Sequence, residues 1–213
     1  AEMPDMYRDQ EYDLAGTIVG IVDRSKIIDG ASICEGDVVV GLPSTGLHTN
    51  GYSLARKICF EVAGLSPDDE MPGVGRTVGE ALLEPHISYA KLMQLVMRVV
   101  DVRGMAHITG GGITDNLPRI LPEGLAAEIN LDSWAVPPIF RFLQETGNVA
   151  DMEMLHTFNM GQGFFFVIPA DQIDRLEETI SLAGQQCCFV GKIIQGDGNV
   201  HYTGKLNYAD TSH

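Results

Sequence analysis

The chain has 213 residues, of which 45% are hydrophobic and 20% charged, and its formal net charge is −15 at pH 7. This length suits one large domain or two small ones, and the composition suits a soluble globular fold. An acidic balance of this size excludes broad binding to nucleic acid or anionic membranes, which need a basic face, but it leaves room for a phosphorylated small molecule in a locally positive pocket.

No apolar stretch reaches the length of a membrane span, and the N-terminal residues are acidic and polar rather than leader-like. A cytoplasmic location with no membrane partner is therefore expected. The first residue is Ala1 rather than Met, as in an excised or processed piece of a longer protein. Cys34, Cys59, Cys187 and Cys188 form no CxxC pair and no regular framework, so buried, reduced thiols are expected.

Residues 1–12 are polar, and Asp13 to Val22 read as a buried strand weakened by Gly16 and Gly20. A lone strand cannot bury itself. Residues 1–30 therefore read as the tail of a domain whose body lies elsewhere, and residues 31–213 as a second domain. Val38–Val40 form a short strand, followed by a polar glycine loop and a helix from Ser53 to Ala63. Leu54, Ile58 and Val62 share one face of that helix, and Gly64 stops it. Thr77 and Glu80 have capping-box spacing, and Pro85 ends what they start. A helix is predicted from Ser88 to Val100, a strand from Met105 to Thr109, and a brief helix from Thr114 to Ile120. A strand follows over Leu125–Leu131, and Pro137 opens a helix that reaches Thr146. Gly163–Ile168 is a strand, Asp171 caps a helix to Ala183, and Cys187–Ile194 with Asn199–Tyr202 make a hairpin around Gly196-Asp197-Gly198. The alternation points to the α/β (α+β) class, with a mixed β-sheet and helices packed on one face.

Three stretches carry candidate chemistry. In Gly41–Leu54, Ser44, Thr45 and Thr49 supply hydroxyls, Gly46 and Gly51 allow close backbone approach, and His48 and Asn50 add an imidazole and a carboxamide. This make-up suits an anion cradle with an imidazole beside it, and equally a helix N-terminus capped by Thr49 or Asn50 with His48 in a turn. The second stretch is His107-Ile108-Thr109-Gly110-Gly111-Gly112, where three costly glycines mark either a ligand or a tightly packed turn. Asn116 and Arg119 follow on the brief helix, and the Arg119 guanidinium matches phosphate bidentately. No Gly-Lys-Ser/Thr follows the glycines, so this is not a Walker A loop. The third stretch, Thr157–Gly163, places Asn159 in an ordered polar turn. Trp134 reads as a packing residue, and His86, His156, His201 and His213 lack metal-ligand spacing, so no metal is expected within residues 31–213.

Together, Gly41–Lys57, His107–Pro122 and Thr157–Gly163 resemble the phosphoribosylformylglycinamidine cyclo-ligase (aminoimidazole ribonucleotide synthetase) family. Its patterns run Ser-Ser-Gly-x-His-Ser-Asn-Gly-Tyr-Ser-Leu, His-x-Thr-Gly-Gly-Gly-x-x-Glu-Asn-x-Pro-Arg and Thr-Phe-Asn-Met-Gly. Thr45 and Thr49 stand for serines and Asp115 for Glu. The opening Ala1-Glu2-Met3-Pro4 and Tyr12–Gly16 resemble the end of the family's N-terminal, ATP-binding domain.

The resemblance implies the C-terminal domain of this fold, with a leftover N-terminal strand, and an enzyme of purine biosynthesis. ATP phosphorylates the formamide oxygen of formylglycinamidine ribonucleotide, the amidine nitrogen closes the ring, and phosphate leaves. ATP and Mg²⁺ are the implied cofactors and a homodimer the implied assembly, both largely through the other half. His48 and Asn50 are implied as catalytic. Ser44, Thr45, Gly46, His107, Thr109, Gly110, Gly111, Gly112, Asn116, Arg119 and Asn159 are implied to bind substrate or phosphate, and Glu2 and Asp13 the nucleotide and its metal. The competing expectations are another ATP-using member of the superfamily, such as a selenophosphate synthetase-like, hydrogenase-maturation or formylglycinamidine synthetase-like protein, and a domain inactive by itself.

Overall fold

The computed structural model describes residues 16–209. Its centre is a six-stranded mixed sheet: β1 (Val38–Pro43), β2 (Gly104–His107), β3 (Leu125–Asn130), β4 (Gln162–Ile168), β5 (Cys188–Gln195) and β6 (Val200–Thr203), in the order β2-β4-β1-β5-β3-β6. All neighbours are antiparallel except β3 and β6. The helices are α1 (Tyr52–Arg56), α2 (Val78–Leu82), α3 (Ala90–Val96), α4 (Gly112–Asn116), α5 (Pro138–Gly147), α6 (Asp151–Thr157) and α7 (Ile173–Leu182).

The mixed sheet and the α/β class are as expected, but the helices lie on both faces. Val39, Phe165, Val167 and Val190 point into a large core with Ile58, Phe140, Leu143, Leu155 and Phe158. Val38, Val40, Leu42, Phe164, Phe166 and Ile168 point the other way, onto Leu92 and Val96 of α3 and Leu176 and Ile180 of α7. Side chains alternate across a strand, so β4 needs an unbroken apolar run to serve two cores, and all its residues are buried. At about 25 cal/mol per Å² of apolar surface, this double burial is the main favourable contribution to folding.

Several local expectations are corrected. Residues 16–22 form no strand, and Ile18, Val19 and Ile21 are exposed; no described strand pairs with them, and packing onto the body begins at Ile28. Neither Thr49 nor Asn50 caps α1, whose N-cap is Gly51 with φ 76° and no side-chain bond. After Arg56 the helix widens to π geometry over Lys57–Val62. The helix expected over 88–100 shortens to α3, because after Val96 the chain tightens into turns such as Val99 N–H to Val96 O. Pro138, not Pro137, takes the first helical position of α5. Asp171 does not cap α7, since a 3₁₀ turn over Ala170–Gln172 precedes it.

The hairpin is also overturned. β6 pairs in parallel with β3, which lies between β5 and β6. The Gly196–Asn199 turn straddles the start of β3: Gly196 N–H donates to Gly124 O, Gly198 N–H to Leu125 O, and Asn199 O accepts from Ala127 N–H. Helix α6 had no sequence expectation. The Thr77–Glu80 capping box forms as expected. Trp134 is buried and its indole N–H donates to Met160 O at 2.8 Å. All four cysteines are free, but only Cys59 is buried.

Candidate functional site

The polar loops after β1 and β2 lie at one end of the sheet, because β4 pairs with both strands. Asn159 in the turn before β4 ties down the loop after β1. Its carboxamide oxygen accepts from Ser44 Oγ–H at 2.8 Å and from Gly161 N–H at 2.8 Å, and its Nδ2 donates to Gly46 O at 2.9 Å. Ser44 N–H adds a bond to Gly161 O. The Thr45 hydroxyl donates to Pro85 O at 2.7 Å. Two of the hydroxyls expected to hold an anion, those of Ser44 and Thr45, are thus used to shape the loop.

That shape sets His48, which is only 3% exposed and has φ 59°, a region that non-glycine residues seldom occupy. Thr45 N–H donates to His48 Nε2 at 3.1 Å. An accepting Nε2 places the ring proton on Nδ1, and Nδ1 is buried with no partner. Asn50 Nδ2 on the same loop is likewise buried and unpaired. Burial, and then the neighbouring His86 and His107, lower the His48 pKa to about 4. His48 is therefore a neutral imidazole presenting an N–H donor at neutral pH.

The ring is clamped. It stacks on His86 with centroids 3.8 Å apart, and the Tyr89 hydroxyl beside it donates to Pro43 O at 2.8 Å. A Cβ at Gly163 would lie 2.1 Å from Tyr89 Oη and 2.6 Å from His48 Cε1, so only glycine fits beneath the pair.

In the second loop, Asn116 acts as a staple. Its Nδ2 reaches Gly112 O at 2.8 Å, Gly110 O at 3.2 Å and Thr109 O at 3.3 Å, and its Oδ1 accepts from Thr109 Oγ1 and Arg119 Nη1. Gly112, at φ 59°, packs against α6, where a Cβ would lie 2.0 Å from Leu155 O. Gly110 is different: within 4 Å its Cβ would meet only Asn50 Oδ1, at 3.8 Å. Gly110 and Asn50 are therefore the point where the two loops face each other.

The structure thus gathers Ser44, Thr45, Gly46, His48, Asn50, Asn159 and Gly110 in one place, with Thr109, Gly111, Gly112 and Asn116 shaping the second loop. Arg119 is exposed and lines a separate hollow with Asp29 and Gly30. Glu2 and Asp13 lie outside the described residues. His107 projects from the end of β2 and its Nε2 lies 3.2 Å from His86 Nε2. The absence of metal-ligand spacing in the sequence does not keep the histidines apart, for His48, His86 and His107 converge from three separate segments. Spacing rules detect ligands on one element only, and nothing in the sequence near His86 or Tyr89 marks them as site residues.

A mixed sheet covered on both faces, with two glycine loops at one end pinned respectively by the buried Asn159 and Asn116, defines an α/β domain whose polar loops gather at one edge. The chain belongs to the family described as AIR synthase related protein, C-terminal domain, which matches residues 35–203. It is 50% identical over 196 residues to a phosphoribosylformylglycinamidine cyclo-ligase of Bifidobacterium animalis subsp. lactis, covering 92% of this chain and 57% of that protein. It is 43% identical over 198 residues to the chloroplastic cyclo-ligase of Arabidopsis thaliana, covering 93% and 51%. The chain spans about half to three-fifths of the length of these relatives. In fold it is similar to thiamine-monophosphate kinase from Stenotrophomonas maltophilia, with a TM-score of 0.59 at 16% identity over 87% of this chain and 55% of that one. It is also similar to the Escherichia coli hydrogenase maturation protein HypE, with a TM-score of 0.53 at 17% identity over 86% and 52%. Among the described residues, no helix is long and apolar enough to cross a membrane.

Proposed function

We propose that this chain is the substrate-side domain of a cyclo-ligase that uses ATP to close formylglycinamidine ribonucleotide into aminoimidazole ribonucleotide, releasing ADP and phosphate, in purine biosynthesis. The observation that carries the reading is the pair of buried, unpaired donors on one loop, His48 Nδ1–H and Asn50 Nδ2, with the Asn50 side chain facing the open backbone at Gly110. An unpaired buried donor costs about 1–3 kcal/mol. Ligand oxygen supplies the missing partners.

In this reading ATP phosphorylates the formamide oxygen, the amidine nitrogen attacks the activated carbon, and phosphate departs. His48 donates a hydrogen bond from Nδ1 to oxygen at the reacting formamide, where negative charge builds as the bond forms. It does not take up the proton released on ring closure, because its Nε2 is occupied by Thr45 N–H. Asn50 orients the same group. Arg119, which lines a separate hollow and donates to Asn116 Oδ1, binds the ribose phosphate. The Ser44, Asn116 and Asn159 bonds keep the loops in the geometry the substrate meets.

ATP and its Mg²⁺ belong to a nucleotide-binding half, to which residues 1–30, with Glu2 and Asp13, contribute. Mg²⁺ takes oxygen ligands. Among the described residues, the cluster of potential metal-binding groups is three histidines, a nitrogen set that does not suit Mg²⁺. The complete enzyme is proposed to be a cytoplasmic homodimer.

The test is ATP-dependent formation of aminoimidazole ribonucleotide by the full-length protein. His48→Ala should lower kcat by about 10²- to 10³-fold, the cost of one preorganised donor, while KM for the ribonucleotide changes by less than about threefold. An unchanged kcat removes His48 from the chemistry, and no product from the unaltered enzyme removes the proposal.

A further inference from the structure

We propose that His48, His86 and His107 form a three-histidine binding site for a divalent transition-metal ion of the zinc type. The three side chains come from the loop after β1, the segment between α2 and α3, and the end of β2, and their ligand nitrogens all lie within 4.8 Å of one another. His86 Nε2 and His107 Nε2 are 3.2 Å apart. Two nitrogens on a tetrahedral metal with bonds of about 2.0–2.1 Å are separated by about 3.3–3.4 Å, so this pair already spans one edge of such a site. The third ligand is His48 Nδ1, a buried ring nitrogen with no partner in the protein.

Imidazole nitrogen is a common ligand for zinc, copper, nickel and iron, and three protein ligands leave a fourth position open. Two of the three ligands, His86 and His107, line a depression of about 520 Å³ with Tyr89 and Phe164, which gives an ion a route in from solvent. Neither a nearby carboxylate nor a thiolate is needed to complete the set.

Two adjustments accompany binding. The His48 and His86 rings are nearly parallel, at 14°, so their in-plane lone pairs do not converge. His86 is half-buried at the rim of the depression; its ring has to turn for the lone pairs to meet at one ion, and its spacing to His107 readjusts with it. When His48 Nδ1 ligates, its proton leaves that nitrogen. If Nε2 then carries a proton, it can no longer accept from Thr45 N–H. Binding therefore exchanges the Thr45 bond for a metal–nitrogen bond and loosens the loop that holds His48. The site does not rest on the proposed cyclo-ligase activity, but occupation would remove the His48 donor used there.

The test is titration of the purified chain with Co²⁺ alone, followed by displacement with Zn²⁺. One equivalent of Co²⁺ should produce the intense visible d–d bands of a four-coordinate ion, without thiolate charge-transfer absorption, and Zn²⁺ should abolish them. His86→Ser and His107→Ser alter the two less buried ligands and should each weaken Co²⁺ binding at least about tenfold. His201→Ser and a Cys187→Ser/Cys188→Ser variant should leave it unchanged. His48→Ala risks unfolding a buried loop, so the test relies on the other two ligands. Absence of the bands, or bands that persist in a His86→Ser/His107→Ser double variant, overturns the proposal. The readout is independent of turnover, so its failure is separate from any failure of the cyclo-ligase reading.

Discussion

His48 combines a strained backbone, a buried ring and an unpaired donor, and each property has a measurable consequence. The unfolded chain takes up a proton on this residue near pH 6.5, but the folded chain does so only near pH 4. Between those values the unfolded state holds more protons, so stability should fall as pH drops through that window, by on the order of 3 kcal/mol from this residue. His86 and His107, whose pKa values burial also lowers, act in the same direction. Denaturant titrations at pH 7.5 and 4.5 should show the loss, and His48→Ala should shrink it; a pH-independent midpoint contradicts the buried neutral ring. Asn159 is the second residue whose role can be read directly. Asn159→Ala removes the partner of Ser44 Oγ, Gly46 O and Gly161 N–H together. It should destabilise by about 3 kcal/mol in urea unfolding, whereas a loss below about 0.5 kcal/mol would mean the loop is pinned elsewhere.

At the scale of elements, the sheet is fastened to the chain before β1 by an ion pair with one buried partner. Arg103, just before β2, donates from Nη1 to Asp37 Oδ1 at 2.7 Å, and Asp37, just before β1, is buried. Asp37 also accepts from Cys34 N–H at 3.0 Å. Asp37→Ala removes the buried partner of a part-exposed guanidinium that keeps Asp101, and should cost about 1–3 kcal/mol, read as a lower urea midpoint. An effect near zero would place the pair among solvent-screened surface contacts. Element existence was largely legible in the sequence where one physical rule was sufficient. Val38–Val40 and Phe164–Ile168 could be only buried strands, and Thr77 with Glu80 could be read as a cap. Pairing was not legible. The turn at Gly196–Gly198 has the chemistry of a hairpin, yet β3 occupies the position beside β5, and a turn sequence carries no information on which distant strand competes for that edge. Boundaries failed similarly at α3 and α7, where the last and first turns are decided by neighbours: the Asp101 N–H bond to Gln172 Oε1 links the two ends.

For the whole molecule, the described N-terminal segment is unlike the rest. Residues 16–26 are exposed, with Ile18, Val19 and Ile21 in solvent, and Arg24 and Lys26 lie within a single short 3₁₀ turn. Ile28 is the first residue to pack against a core. Limited trypsin digestion should therefore cut first after Arg24 or Lys26 and leave a product beginning near residue 25 or 27 with an unchanged thermal midpoint. Early cleavage inside the body, or a lowered midpoint after clipping, would contradict a boundary near residue 30. The exposed apolar side chains have the composition of a strand, and the described residues supply no partner strand for them. That agrees with the proposal that they belong to a second half of the protein, since the matched region is only 57% of one relative and 51% of another.

The sequence by itself determined the class, the loops and the family. Alternation of apolar runs, glycine punctuation and motif order are local properties, and local sterics and hydrophobic periodicity are sufficient to produce them. It also marked His48, Asn50, Asn159 and the Gly110–Gly112 run as special, because those residue types are costly unless a turn or a ligand needs them. Only the tertiary structure decided how they are used. Whether a hydroxyl faces a ligand or a backbone carbonyl, as with Ser44 and Thr45, depends on atoms brought from Asn159 and Pro85. Whether Gly112 or Gly110 is the open glycine depends on where α6 packs. That His86 and His107 meet His48 depends on three segments converging on one end of a sheet. Convergence is a property of the fold, since contacts between residues far apart in the chain leave no periodicity or spacing in the sequence to read.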